Sequence, residues 1–128
     1  MRLLLDTHLL LWAAASSARL PHEARELLQD DRNDVYYSAA SIWEIAIKSS
    51  LRRKDFRVDV PKLLSILPEM GLIELTVTAA HAAGVTELPL IHRDPFDRLL
   101  IAQSLVEPLT LLTNDAVLDR YRVGARVV

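Results

Sequence analysis

Two kinds of apolar segment alternate along the whole chain, and this alternation restricts the fold more than any other feature. Short leucine-rich, β-branched or aromatic runs lie at residues 2–5, 35–37, 72–77, 109–113 and 125–128 and read as strands. Helix signals separate them. Asp6-Thr7 opens a helix through about Ala15, and Leu20-Pro21 opens PHEARELLQDD. Ser38 or Ser41 can cap a helix running to about Arg53. Pro61 begins another, disturbed at Pro68 and stopped at Gly71. Thr78 can cap AAHAAGV, Pro95 starts a helix to Val106, and AVLDRY forms a short one. Strands alternating with helices predict a parallel sheet covered on both faces. The expected fold is α/β, a three-layer α/β/α sandwich around a central, mainly parallel sheet of four to five strands. At 128 residues with no internal repeat, one domain over 1–128 is expected.

Composition removes several classes of function. The chain is 51% hydrophobic, enough to build a core, and its net charge of −2 creates no global field for nucleic acid or membrane. With no cysteine, disulfides, zinc–thiolate sites and cysteine nucleophiles fall away. Three glycines leave no phosphate-cradling loop, and no G-x-S-x-G elbow is present. Residues 1–15 mimic a short signal peptide, but Asp6 and His8 interrupt the apolar run. A strand and a helix are the expected reading, in a cytoplasmic protein with no membrane partner.

Four acids, far apart in sequence, sit in similar settings, each tied to buried structure. In HRDPFDRLLIAQS, Asp94 suits a helix N-cap and Pro95 the first helical position. Asp97 then lies in the first turn, near the positive end of the helix dipole, ahead of a buried LLIA. Asp6 ends the run Leu3-Leu4-Leu5, Asp115 follows Leu111-Leu112-Thr113-Asn114, and Glu44 lies inside the apolar helix SIWEIAI. Taken singly, Asp6, Asp94 and Asp115 can all be caps. Glu44, between Trp43 and Ile45, is poorly explained as a solvated charge.

Topology supplies the reason to group them. Ligands of open parallel sheets bind beyond the carboxyl ends of the strands, where Asp6 and Asp115 lie. Helix starts face the same rim, which brings in Asp97 and Glu44. Two unit charges about 5 Å apart repel by roughly 3 kcal/mol at an effective dielectric near 20. Gathering Asp6, Glu44, Asp97 and Asp115 therefore demands protonation or a cation. All-oxygen ligation favours Mg²⁺ or Mn²⁺ and phosphodiester or phosphoryl hydrolysis. Thr7, Thr113, Asn114 and Asp94 are candidate supporting residues. Lys48, Arg52, Arg53, Lys54 and Arg57 form a basic cluster that either completes a solvated helix end or tracks phosphates or an acidic partner. Arg93 and Arg98 flank the acids, and Arg98 is a further candidate contact. His8, His22, His81 and His92 lack ligand spacing and read as surface or satisfied core residues.

With LLLDTHLLLW, SAASIWEIAIK, HRDPFDRLLIAQS and LLTND in this order, the chain resembles the PIN-domain family, and within it the VapC-type toxins, over essentially its whole length. The resemblance implies a PIN-like fold and a metal-dependent endoribonuclease whose acidic metal-binding set is Asp6, Glu44, Asp97 and Asp115. It also implies an RNA substrate, a homodimer, and neutralisation by a cognate VapB-type antitoxin. Glu44 or Asp115 can serve as general base, with one metal or two. The alternative is a non-catalytic Mg²⁺-binding α/β regulatory or protein-interaction domain. A receiver-like regulator pairs acids after its first strand and presents a lysine late. Here Thr7 follows Asp6, and no lysine lies beyond Lys62.

Overall fold

The computed structural model describes residues 1–51, 56–121 and 124–128. Arg52, Arg53 and Lys54, expected as RNA or partner contacts, lie outside the described residues. Strands β1 (Arg2–Leu5), β2 (Asp34–Ser38), β3 (Ile73–Leu75), β4 (Thr110–Thr113) and β5 (Ala125–Val127) form one sheet in the order β3-β2-β1-β4-β5, parallel throughout. The helices are α1 (Thr7–Ala14), α2 (His22–Gln29), α3 (Ala39–Ser50), α4 (Val60–Glu69), α5 (Ala79–Gly84) and α6 (Pro95–Val106). This is the expected three-layer arrangement.

The leucine run at the start explains the centre of the sheet. A strand paired on both edges and covered on both faces must be apolar at every position, and Leu3, Leu4 and Leu5 are all fully buried. Because successive side chains point to opposite faces, they split between two cores. Leu3 and Leu5 join Val35, Tyr37 and Leu112 against Leu9, Ile45 and Leu67. Leu4 and Leu111 pack against Leu100, Ile101 and Leu118 on the other face.

Local chemistry sets the boundaries. Ser38 caps α3, accepting from the Ala40 amide at 3.0 Å, which decides between the two candidate caps. Pro68 does not disturb α4, because in the last turn its missing N–H removes a single bond. Gly71, at φ 78°, then ends the helix. There the Leu72 amide donates to the Leu67 carbonyl and the Gly71 amide to that of Pro68, a Schellman closure that needs the left-handed conformation. β3 is shorter than the expected 72–77. Among the described residues its one partner is β2, which ends at Ser38 opposite Leu75, so residues beyond find no ladder there to join. AVLDRY is a 3₁₀ segment rather than an α-helix.

Leu4 tests the two-sided core. Leu4→Ala should destabilise the chain by about 2–5 kcal/mol in urea denaturation. A loss under about 1 kcal/mol would mean that the central strand is not packed on both faces.

Candidate acidic metal centre

The end of β1 delivers the first acid. Asp6 is both the residue after the strand and the N-cap of α1, with Oδ1 accepting from the Leu9 amide at 2.8 Å. Its own amide donates to the Leu112 carbonyl on β4 at 3.0 Å. From the end of β4, the Thr113 hydroxyl donates to Asp6 Oδ2 at 2.6 Å and accepts from the Asp115 amide at 3.0 Å. One threonine thus orients two of the acids. The Asn114 side chain does not join them: its amide donates to the Val128 carbonyl and ties down β5.

Glu44 is buried, at 6% exposure, because α3 turns it inward toward α1. Thr7 Oγ1 lies 2.9 Å from both Glu44 Oε1 and Ser41 Oγ. With one hydroxyl proton, Thr7 donates to the carboxylate and accepts from Ser41. Lys48, one turn along α3, donates to Glu44 Oε2 at 2.7 Å.

Asp97 enters from the first turn of α6. Asp94 caps that helix, its Oδ1 accepting from the Phe96 amide at 2.8 Å and from the Asp97 amide at 3.2 Å. Among the described residues the Asp97 carboxylate has no such amide donors. Its Oδ2 lies 3.0 Å from His92 Nε2, and Asp115 Oδ2 lies 3.4 Å from the same nitrogen. Asp115 Oδ1 accepts from the Val117 amide. Asp6, Glu44, Asp97, Asp115 and Asp94 all line one small cleft of about 70 Å³.

Sequence reasoning missed two residues. His92, read as surface or satisfied core, instead reaches the acids. Its Nδ1 accepts from the Asp94 amide at 3.1 Å, which leaves the proton on Nε2, the nitrogen close to Asp97 and Asp115. His92, Asp97 and Asp115 each offer a ligand-type atom, all within 4.8 Å of one another. Ser41, weighed only as a cap, is buried behind Thr7. Position inside the HRDPFD segment was the available signal for His92; helical spacing from Glu44 was the one for Ser41. Arg98, a candidate RNA or partner contact, donates to the Val85, Pro89 and His92 carbonyls and so braces the connector ahead of α6.

The crowding shows in proton affinity. Burial, then the negative charges of Asp94, Asp6 and Glu44, push the Asp97 carboxyl up to about 7 against the opposing pull of His92. Burial also raises Asp6, despite the bonds from Thr113 and Leu9. A hard divalent cation fits this donor set. It would lie among carboxylate oxygens, with an imidazole beside them, and would relieve the repulsion that favours protonated Asp97.

A pH dependence follows. The folded chain keeps a proton on Asp97 that the unfolded chain releases above its ordinary value near 3.8. Metal-free stability from this group is therefore full at acidic pH and falls as pH rises from about 4 to 7. Asp97→Asn should melt higher than the wild type in chelator, with a gap that widens over that range. A tenfold change in proton affinity is worth about 1.4 kcal/mol, so the gap should reach roughly 2–4 kcal/mol by pH 8. A constant gap, or a less stable variant, would contradict the crowding.

Comparison with known proteins places the chain in a family. The family model described as PIN domain matches residues 3–124. A search of curated proteins finds no sequence match. Among solved structures, the chain is similar to VapBC2 from Rickettsia felis, bound to a DNA fragment from their promoter. The TM-score is 0.74 and the identity 18%, covering 99% of this chain and 98% of that one. It is also similar to FitAcB from Neisseria gonorrhoeae, with TM-score 0.63 and 19% identity over 96% and 95% of the two chains. At these identities the likeness speaks for the fold, and the family match over nearly the whole chain shows that this protein belongs to the PIN-domain family.

Proposed function

We propose that the chain is a metal-dependent endoribonuclease of VapC type that hydrolyses RNA phosphodiester bonds. The observation that carries this reading is the convergence of Asp6, Glu44, Asp97 and Asp115 on one cleft, where Asp97 is driven toward its neutral form. Bound Mg²⁺ or Mn²⁺ supplies positive charge for phosphate oxygens and an acidified water. Asp6, Asp97, Glu44 and Asp115 would hold it, with His92 at the Asp97–Asp115 side. Thr113 fixes Asp6, and the Thr7–Ser41 pair fixes Glu44, so two ligands are pre-oriented by buried hydroxyls. Glu44 or Asp115 can take a proton from the attacking water. Lys48, bonded to Glu44, puts a cation beside the acids that a phosphate could use.

The same reading includes a cognate VapB-type antitoxin that covers the cleft, a homodimer, and a cytoplasmic setting. The likeness to VapBC2 and FitAcB over nearly the whole chain supports the antitoxin. Exposed Leu105 and Val106 at the end of α6 offer apolar surface for self-association. Among the described residues no helix is long and apolar enough to cross a membrane.

Purified total RNA incubated with the chain in Mg²⁺, in Mn²⁺ and in excess chelator tests the activity. Discrete cuts are expected only with metal. Asp97→Asn and Glu44→Gln should each lower the rate by at least about 100-fold, and Thr113→Val, which removes an orienting hydroxyl, by about 10–100-fold. Cleavage that persists in chelator, or in Asp97→Asn, would exclude the metal centre. Absence of any cut by the folded wild type would favour a non-catalytic domain.

A further inference from the structure

A second feature lies against the acidic cleft. The Trp43 indole is 62% exposed, although Glu44 beside it is buried. It meets Phe96 edge to face, with ring centroids 5.5 Å apart and planes at 74°. With Val85, Pro95 and Leu99 these rings line an apolar groove of about 450 Å³, which exposed Arg93 also borders. Three consecutive pairs form the wall between groove and cleft. Trp43, Arg93 and Phe96 line the groove, and the residues that follow them, Glu44, Asp94 and Asp97, line the cleft. Neighbouring α-carbons are about 3.8 Å apart, so the groove opens within roughly one nucleotide of the acids.

We propose that this groove is a nucleobase subsite, in which a base of single-stranded RNA next to the scissile phosphate stacks on Trp43 while Arg93 pairs with the adjoining phosphate. The proposal rests on the nuclease reading above. Three observations favour this occupant. An exposed aromatic ring braced by a second ring is the platform that single-stranded nucleic acid uses without base-specific hydrogen bonds. Arg93 makes no ion pair among the described residues and complements a phosphate. The neighbouring cleft carries carboxylates that repel RNA, so the substrate needs a hold beside it that is not anionic. Arg98, engaged by three carbonyls, keeps the connector and hence Arg93 in place. A second copy of the chain is the competing occupant, and the test separates the two.

The probes are a labelled single-stranded RNA of mixed sequence, about eight nucleotides long, and an abasic RNA of the same length. Binding is measured in Ca²⁺ for the wild type, Trp43→Ala and Trp43→Phe, with solution masses determined in parallel. The wild type should bind the intact RNA at least about tenfold more tightly than the abasic one. Trp43→Ala should lose that preference and Trp43→Phe should keep most of it, all three at one mass. Equal affinity of the wild type for both probes, or a preference retained in Trp43→Ala, would overturn the subsite. A Trp43→Ala chain that falls from dimer to monomer would overturn it too, and would give the groove to a second copy. Base- and Trp43-dependent binding by a wild type that cuts no RNA would keep the subsite and remove the nuclease reading. Cleavage without such binding would do the reverse.

Discussion

Parallel pairing of β1 with β4 joins residues more than a hundred positions apart, and the rest of the cleft depends on it. The Asp6 amide bonded to Leu112 and the Thr113 hydroxyl bonded to Asp6 Oδ2 continue the ladder past the strand ends, across 107 residues of chain in the latter case. Both strands are apolar on both faces, so the pair is fixed by burial rather than by the acids themselves. The sheet therefore holds the first and last acids in register at no electrostatic gain. α3 and α6 then bring Glu44 and Asp97 to the same rim, since helices that follow parallel strands start there.

The price is stored charge repulsion, and each acid is relieved differently. Asp6 receives an amide and a hydroxyl, and Glu44 a hydroxyl and the Lys48 ammonium. Asp115 receives an amide and, like Asp97, lies close to His92 Nε2. Among the described residues Asp97 has that imidazole alone, and its carboxyl is pushed up to about 7. Lys48 thus serves Glu44, and His92 the Asp97–Asp115 pair. A folded domain is stable by only about 5–15 kcal/mol in total, so a cluster of this kind weighs measurably on the metal-free chain.

Much of this was legible from residue order. Unbroken leucine runs announced doubly covered strands, Pro95 and Asp94 announced the start of α6, and the four acids followed from strand ends and helix starts. What escaped depended on side-chain direction. His92 is five residues before Asp97 in an irregular connector, where no periodicity tells which way an imidazole turns. Its orientation comes from the Asp94 amide and from Tyr121, whose hydroxyl accepts from the His92 amide. The aim of Arg98 was illegible for the same reason: three carbonyls of the connector capture a guanidinium that composition alone would give to a phosphate. The length of β3 was set by its neighbour β2, a tertiary limit that no local propensity carries.

The central claim is that acids from four separate segments form one cation site, and paramagnetic broadening by Mn²⁺ in the ¹⁵N-labelled chain tests it most directly. Substoichiometric Mn²⁺ should first erase the amide signals of Asp6, Thr7, Glu44, Asp97 and Asp115 together. Those of Arg2, Asp34 and Thr110, at the opposite ends of the strands, should survive. Broadening that begins at surface acids such as Asp30 or Glu69, or that reaches Asp6 without Asp97, would contradict a single shared site.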